Sequence, residues 1–228
     1  MEWIDQLDKL NRINKGTEEL WVSGQKIKEL TFLKDFRNLK KLFLRSFKTT
    51  NLSPLKSLKE LKHLELTNVG NGGNLEAISH LTSLQELIIQ TPPGWDGGSK
   101  RLSYDSLAPL RNLENLVSLT LLDVLFTNDE LTPLTHLKSL DQLDTRNTFT
   151  IAAFVELSIS QPKLKCRYTK PYTIWEGVEY YRCKKCGSMK VEFSGIDLKR
   201  RVFCLNCNKK KTDELVVRFN EIKAEKSA

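Results

Sequence analysis

Apolar and polar positions repeat along most of this chain in a nearly fixed pattern. A leucine followed two positions later by a second core-type residue recurs seven times, in Leu20-Trp21-Val22, Leu42-Phe43-Leu44, Leu64-Glu65-Leu66, Leu87-Ile88-Ile89, Leu119-Thr120-Leu121, Leu143-Asp144-Thr145 and Leu164-Lys165-Cys166. The first leucines are separated by 22, 22, 23, 32, 24 and 21 residues, and such a period is typical of stacked repeat proteins. Because side chains alternate along a strand, each doublet predicts a short, half-buried β-strand.

Leucines also recur at every third position in the stretch before a doublet. The clearest series are Leu52, Leu55, Leu58 and Leu61, then Leu107, Leu110, Leu113 and Leu116, then Leu131, Leu134, Leu137 and Leu140. A spacing of three favours tight 3₁₀ turns over an α-helix, which has about 3.6 residues per turn. Pro54, Pro109 and Pro133 share one register of the repeat, where a proline interrupts a long helix but is compatible with a short helical turn.

These residues resemble the leucine-rich repeat family in its short, internalin-like class, with repeats of roughly 22 residues. The resemblance covers residues 18–167 and implies an α/β solenoid with short parallel strands on its concave face. The family's usual asparagine, three residues after the doublet, is replaced here by Gln25, Phe47, Val69, Pro92, Val124 and Thr148. We therefore expect packing, rather than an asparagine ladder, to hold these turns.

Residues 1–17 are predicted to form an N-terminal capping helix. Trp3, Ile4, Leu7 and Leu10 share one face of such a helix. A repeat stack needs its exposed end covered, and this segment directly precedes the first strand.

The middle residue of each doublet is expected to point away from the core. Trp21, Phe43 and Ile88 then predict an exposed apolar patch beside Arg45, and patches of this kind are typical of protein interfaces. The alternative is that the N-terminal helix or a long loop covers the three side chains. That loop, residues 91–101, is rich in proline and glycine. Its Trp95 either contacts a partner or folds back over the patch.

Four cysteines carry the strongest site signal in the chain. Cys183, Cys186, Cys204 and Cys207 follow the pattern C-x₂-C-x₁₇-C-x₂-C, which predicts one tetrahedral zinc ion held by four thiolates. With four protein ligands no position remains for water or substrate, so we interpret the zinc as structural. Two disulfides are the alternative, and the missing signal peptide argues against that. Cys166, the odd cysteine, is expected to be a core residue.

The region around these cysteines resembles a zinc ribbon over residues 178–221, with a linker at 168–177 and a tail at 222–228. Strand-like segments are predicted at 178–182, 190–193, 201–203 and 215–219. Gly187 and Asn208 each follow a cysteine pair and are expected to supply the left-handed backbone of its turn.

Charge is concentrated in this second region. Residues 1–165 hold 21 basic and 20 acidic side chains, whereas residues 166–228 hold 15 and 8. The clustered basic residues are Lys184, Lys185, Lys199, Arg200, Arg201, Lys209, Lys210 and Lys211, and Tyr180, Tyr181, Phe193 and Phe203 lie near them in sequence. Basic side chains with aromatic neighbours are one way to bind nucleic acid. A second alternative makes the ribbon a structural cap, joined to the last repeat by Tyr168, Tyr172 and Trp175.

No arrangement typical of catalysis is recognisable in the sequence. The three histidines lack a nucleophile motif, and the glycine-rich segment 70–73 lacks the Lys-Ser/Thr of a phosphate-binding loop. No apolar run reaches the ~18 residues that span a bilayer. We predict a non-enzymatic, intracellular (cytoplasmic) adaptor or scaffold that binds a protein partner through the concave face and the 91–101 loop. A small-molecule substrate and a membrane are not expected.

Overall fold

The computed structural model describes residues 3–70, 73–91, 101–128 and 130–227. The chain divides into two compact units. The repeat unit comprises residues 1–128 and 136–146, and the ribbon unit comprises residues 129–135 and 147–228.

Six of the seven predicted doublets form strands of the repeat unit, and two further short strands, Leu102–Tyr104 and Val124–Phe126, were not predicted. These strands are β1 Glu19–Ser23, β2 Lys41–Arg45, β3 His63–Thr67, β4 Glu86–Gln90, β5 Leu102–Tyr104, β6 Ser118–Leu122, β7 Val124–Phe126 and β8 Gln142–Thr145. Six of them pair in the order β1-β2-β3-β4-β6-β8, all parallel. Leu20, Leu42 and Leu64 stand opposite one another in this sheet. Each repeat therefore adds one strand in register with the last, which is a solenoid arrangement.

Between the strands, the segments that carry the leucine series form 3₁₀ turns, as predicted. The turns are Thr31–Asp35, Ser53–Ser57, Glu76–His80, Ala108–Asn112 and Thr132–Leu134, the last of which belongs to the ribbon unit. Pro54, Pro109 and Pro133 are the second residues of their turns, where the amide hydrogen has no partner within the turn. Leu55, Leu58 and Leu61 are fully buried, and burial of each such side chain contributes about 2 kcal/mol before the entropy of ordering it.

Backbone hydrogen bonds and packing replace the missing asparagine ladder. Ser46 and Asn68 follow strand ends in a left-handed conformation, with φ of 58° and 55°. The amide of Ser46 donates to the carbonyl of Thr67 at 2.9 Å, one repeat further on. Phe47 and Val69, at the asparagine register, are 1% exposed. Core packing at these two positions agrees with the expectation, whereas Gln25 at the same register is exposed.

A second, two-stranded parallel sheet of β5 and β7 lies in the repeat unit. It begins just after the long insertion, of which residues 92–100, including Trp95, lie outside the described residues. The hydroxyl of buried Tyr104 donates to the carbonyl of Val69 at 2.9 Å. Burial raises the pKa of Tyr104 above its usual value, so this hydroxyl stays protonated and keeps its donor role.

The N-terminal helix is much shorter than predicted. Helix α1 spans only Leu7–Asn11, and Leu7 is 55% exposed. The expectation that Trp3 and Ile4 share its face is wrong, because Ile4 is extended and pairs with Val22 in parallel. Ile4 accepts from the amide of Ser23 at 2.8 Å and donates to the carbonyl of Trp21 at 2.9 Å. The pairing of Ile4 with the free edge of β1 satisfies amide and carbonyl groups of β1 that a helix in this segment would leave unpaired.

The ribbon unit contains α2 Ile151–Ser160, β9 Tyr172–Ile174, β10 Lys190–Phe193, β11 Val202–Cys204 and α3 Lys209–Ser227. The strands form an antiparallel sheet in the order β11-β10-β9. Strand β9 falls inside the segment expected to be a linker. Helix α2 falls inside the expected repeat region, and Leu164-Lys165-Cys166 is not a strand of the repeat sheet. Cys166 is 8% exposed, in agreement with a core position.

Two predicted strands of the ribbon are wrong. Residues 215–219 belong to α3, because Thr212, Leu215 and Phe219 recur at helical spacing and are all buried on one face. Residues 178–182 contain a 3₁₀ turn, Glu179–Tyr181, although Arg182 pairs with Met189 in an isolated bridge. Within the part of the chain that the structure describes, no helix has the length and apolar character needed to cross a membrane.

Candidate metal centre and sheet face

The four predicted cysteines converge on one point of the ribbon unit. All four sulfurs lie within 4.8 Å of one another. The Sγ atoms of Cys183 and Cys207 are 3.8 Å apart, and those of Cys186 and Cys204 are 3.4 Å apart. Four thiolates at about 2.3 Å from one zinc ion would be about 3.8 Å apart at the corners of a tetrahedron. The cysteine positions therefore fit a tetrahedral metal ion.

The turn of the first cysteine pair is closed by backbone hydrogen bonds. The amide of Cys183 donates to the carbonyl of Ser188 at 2.8 Å, and the amide of Gly187 donates back to Cys183 at 2.8 Å. Gly187 has a φ of +75°, as its position after the pair predicted. A glycine adopts this backbone without a steric penalty.

The second pair is built differently. Asn208 is absent from the left-handed residues of the described chain, so the expectation for it is wrong. Its side-chain oxygen instead accepts from the amide of Cys204 at 3.3 Å, and its carbonyl accepts from the amide of Thr212 in the first turn of α3. Asn206 donates to the hydroxyl of Ser188 at 2.9 Å and so links the two turns.

The pKa values of three of the clustered thiols are shifted in different directions. Hydrogen bonds with Ser188 lower the pKa of Cys186 to about 6, and backbone hydrogen bonds at Lys185 and Cys186 lower that of Cys183. The adjacent Cys186 and Cys183 sulfurs raise the pKa of Cys207 to about 12. Crowding of several thiolates in one place is the repulsion that a divalent cation relieves.

A buried carboxylate ties the ribbon sheet to the segments before it. Glu192 in β10 is 9% exposed. One of its oxygens accepts from the indole of Trp175 at 3.0 Å and the hydroxyl of Tyr168 at 3.3 Å, and the other accepts from Asn147 at 3.1 Å. Tyr172 packs on Phe193 with ring centroids 5.4 Å apart. Tyr168, Tyr172 and Trp175, which were expected to join the ribbon to the last repeat, each make a contact with β10.

The loop after β10 docks on the start of α2. Gly195 donates its amide to the side chain of Asn147 at 2.7 Å, and Asp197 accepts from the amide of Ile151 at 3.0 Å. A Cβ on Gly195 would lie 2.2 Å from the side chain of Ile151. Phe219 of α3 packs with Ile151 and Val155 of α2. No sequence motif marks Asn147, Glu192 or Asp197, because their partners are 17 to 54 residues away.

The predicted basic cluster is divided among several roles. Arg201 donates to the carbonyl of Asn147 at 2.7 Å and is part of the fold. Arg200 stacks on Phe203 at 4.7 Å, while Lys209 and Lys211 pair with acidic residues of α3. Four lysines of this cluster are exposed and form no ion pair with any described residue, namely Lys184, Lys185, Lys199 and Lys210. Phe193 and Phe203 are buried at 1% and 6% exposure, so neither offers an open ring face to a nucleobase.

On the outward face of the repeat sheet, aromatic rings form a continuous row. Trp21 and Phe43 are stacked at 3.7 Å with an interplanar angle of 12°. Trp3 meets Trp21 edge-on at 5.1 Å, and His63 lies 4.7 Å from Phe43. Phe43 is only 9% exposed, so the accessible part of this ring row is Trp3 and Trp21. The N-terminal segment covers Trp21 in part, through Trp3.

The predicted apolar patch is interrupted. Strand register places Glu65 opposite both Phe43 and Ile88, so Ile88 is not adjacent to the aromatic pair. Glu65 accepts from Thr67 at 2.7 Å and Gln90 at 3.1 Å. Arg45 is exposed and lies 5.7 Å from the Trp3 ring. The outward face of the sheet therefore has an aromatic part on β1 and β2 and a polar, hydrogen-bonded part on β3 and β4.

No family model matches the chain, and no curated protein matches it. Among solved structures, an internalin (inlF) from Listeria monocytogenes str. 4b F2365 is similar, with 20% identity and a TM-score of 0.48. An internalin C2 (inlC2) from the same strain has 25% identity and a TM-score of 0.43. The plant peptide hormone receptor RGFR1 in complex with RGF2 has 16% identity and a TM-score of 0.44.

These similarities cover 63%, 64% and 63% of this chain. The chain spans 46% of the inlF chain, 68% of the inlC2 chain and 27% of the receptor chain. The repeat architecture described above follows from strand register and leucine burial within the chain itself.

Proposed function

We propose that the protein is a non-enzymatic adaptor or scaffold that binds a protein partner through the outward face of its repeat sheet. The observation that carries this proposal is the ring row headed by the half-buried Trp3 and Trp21. Tryptophan beside arginine is a combination enriched in the energetic centres of protein interfaces. Arg45 supplies the arginine, and the in-register strands hold both side chains on a rigid support.

Affinity capture with Trp21→Ala tests this function. Phe43 is left intact because it is buried and its removal would destabilise the sheet. We expect Trp21→Ala to lose a protein partner that the wild type captures, with the unfolding midpoint nearly unchanged. Val117→Ala, at an exposed apolar residue of the same unit (43% exposed), is the matched control and should retain the partner. Equal capture by Trp21→Ala and the wild type would contradict the proposal.

We further propose that one zinc ion holds the ribbon, and that the ribbon serves as a structural element covering α2. Support comes from the four converging sulfurs and from the packing of Phe219 and Leu198 on Ile151 and Val155. When bound, the metal would supply a cross-link between the two cysteine turns. Metal analysis of the purified protein tests its identity: one zinc per chain is expected, and a different metal or none would overturn the assignment.

Nucleic-acid binding by the ribbon remains the alternative function, with weaker support. Its four unpaired lysines provide charge, but two of the proposed stacking rings are buried. If the ribbon binds nucleic acid, affinity falls steeply with salt and charge reversal at Lys184, Lys185, Lys199 and Lys210 abolishes it. The nuclease-treated arm of the same capture experiment separates the two functions.

A further inference from the structure

Two grooves meet where β1 and β2 end in the repeat unit. The first runs between the loops that follow these strands and is lined by Gly24, Gln25, Lys28, Glu29, Ser46, Lys48 and Thr49. The second lies beside the ring row and includes Trp3, Lys9 and Arg45. Both include Gln25 and Ser46. Because the two grooves share these residues, we describe them together as the β1–β2 groove.

The lining of this groove is predominantly basic. Lys9, Lys28, Lys48 and Arg45 face two carboxylates, Asp5 and Glu29. Asp5 is already paired with Lys26 at 3.6 Å. Within the ranges that the structure describes, no ion pair involves Lys28, Lys48 or Arg45. The groove therefore has four basic and two acidic side chains in its lining, and three of the basic ones form no ion pair of their own in these ranges.

Close packing fixes the shape of the groove. The amide of Gly24 donates to the carbonyl of Arg45 at 2.7 Å. A Cβ on Gly24 would lie 2.6 Å from the carbonyl oxygen of Ser46, so only glycine allows the two loops to approach this closely. Because the loops are joined in this way, the basic side chains extend from a fixed backbone.

We propose that the β1–β2 groove binds an acidic, extended segment of the partner protein. The inference rests on the proposed binding function of the sheet face and specifies the partner's chemistry. Carboxylates of the segment pair with Arg45, Lys28 and Lys48, and an apolar side chain of the same segment contacts Trp3 and Trp21. Opposite charges steer such an encounter and select against basic partners.

The ring geometry favours a peptide over a nucleic acid at this groove. One face of Trp21 is covered by Phe43 at 3.7 Å, and Trp3 approaches Trp21 edge-on at 5.1 Å. Nucleobases bind to such platforms by stacking on open ring faces. An aliphatic or aromatic side chain does not need an open ring face, and Trp3 and Trp21 are both partly exposed to such a contact.

A direct binding measurement tests the inference. The probe is a dye-labelled, capped peptide rich in aspartate and glutamate with one central phenylalanine, followed by fluorescence anisotropy at low salt. We expect the acidic peptide to bind the full chain and the corresponding lysine-rich peptide not to bind. Arg45→Glu combined with Lys48→Glu should weaken binding by ~10-fold or more, and added salt should weaken wild-type binding in the same direction.

Lys34→Glu combined with Lys56→Glu is the matched control, because these exposed lysines lie in 3₁₀ turns of the same unit. This control should bind like the wild type. Equal loss in both double variants would mean that only net charge matters and would overturn the groove, as would absent binding at low salt. A single-stranded oligonucleotide or inorganic pyrophosphate that displaces the peptide more strongly than unlabelled peptide would assign the groove to phosphates instead.

Capture of the partner with Trp21→Ala and with the Arg45→Glu, Lys48→Glu double variant distinguishes the groove from the sheet face as a whole. If the captured partner is lost with Trp21→Ala but kept with Arg45→Glu and Lys48→Glu, the sheet face binds a partner and the acidic segment is wrong. If the partner is kept in both variants, the binding function itself is wrong.

Discussion

The buried positions of the repeat unit are mostly leucine, isoleucine, valine and phenylalanine, whereas those of the ribbon unit include Asn147, Glu192 and two of the four clustered cysteines. In the first unit many equivalent contacts each contribute a little, so that stability is distributed along the stack. In the second unit, stability depends on a few specific groups, namely the hydrogen-bonded Asn147 and Glu192 and the clustered cysteines. The comparison indicates that the ribbon unit should be sensitive to single changes of its polar groups and cysteines, and the repeat unit to changes of volume.

Removal of the metal site should have the largest effect. We expect Cys204→Ser to abolish zinc binding and unfold the ribbon, because structural zinc contributes about 10–16 kcal/mol in small fingers. Metal content and proton NMR would record the change. Cys166→Ala, at the cysteine outside the cluster, should keep one metal per chain.

Removal of the metal with a chelator tests whether the repeat unit stays folded without the ribbon. Retention of the repeat unit's spectrum after loss of the ribbon would show that the two units fold independently. Simultaneous loss of both would show that the ribbon is required by the repeats, which is the stronger form of the cap hypothesis.

In the repeat unit a core truncation should be the most damaging change. Leu64 is fully buried at the centre of the sheet, and Leu64→Ala should cost about 3 kcal/mol in the free energy of unfolding. Thr120→Ala, on the outward face of β6, should cost less than about 0.5 kcal/mol. Urea titrations compare the two. A similar cost at both positions would contradict the assignment of inward and outward rows.

A substitution in the loop after β10, which packs on α2, should cost a similar free energy of unfolding. Gly195 has a φ of +112° and no space for a Cβ beside Ile151, so Gly195→Ala should cost about 3 kcal/mol. Gly177 also has a positive φ, of +74°, but no atom within 4 Å of an added Cβ. Gly177→Ala should therefore cost only about 1 kcal/mol. Equal costs would indicate that the close contact with α2 is not formed in solution.

The smallest predicted effect is a pH dependence at α2. Burial would raise the pKa of Glu156, but hydrogen bonds from Thr132 and Lys226 outweigh it and lower that pKa below its ordinary value of 4.5. The charged form is thus favoured in the folded state, and its contribution is present above pH 4.5 and is lost as the pH falls through the lowered value. For a partly exposed pair we expect about 0.5 kcal/mol or less. The stability difference between wild type and Glu156→Gln should shrink on acidification, and a difference that grows would have the wrong sign.

Much of the repeat unit could be predicted because its information is local. The doublets and the three-residue leucine series state directly which side chains are buried and how tightly the chain turns. The same local reasoning failed at Leu215–Phe219, where a run of apolar residues is equally compatible with a strand and with one face of a helix. It also missed α2, although Thr150 accepts from the amide of Ala153 as a helix N-cap does.

The strand period, the 3₁₀ turns and the four cysteines of the candidate metal site could be predicted without the structure, since each depends on residues close in the chain or on a recognisable spacing. Three features depend on the folded chain as a whole. Glu65 separates Ile88 from the ring row, and Phe43 is buried between Trp21 and His63. Asn147, Glu192 and Asp197 join the ribbon to α2. The physical reason is that hydrogen bonds and ring contacts act within a few ångströms. Which distant residues come that close is fixed by the packing of whole elements.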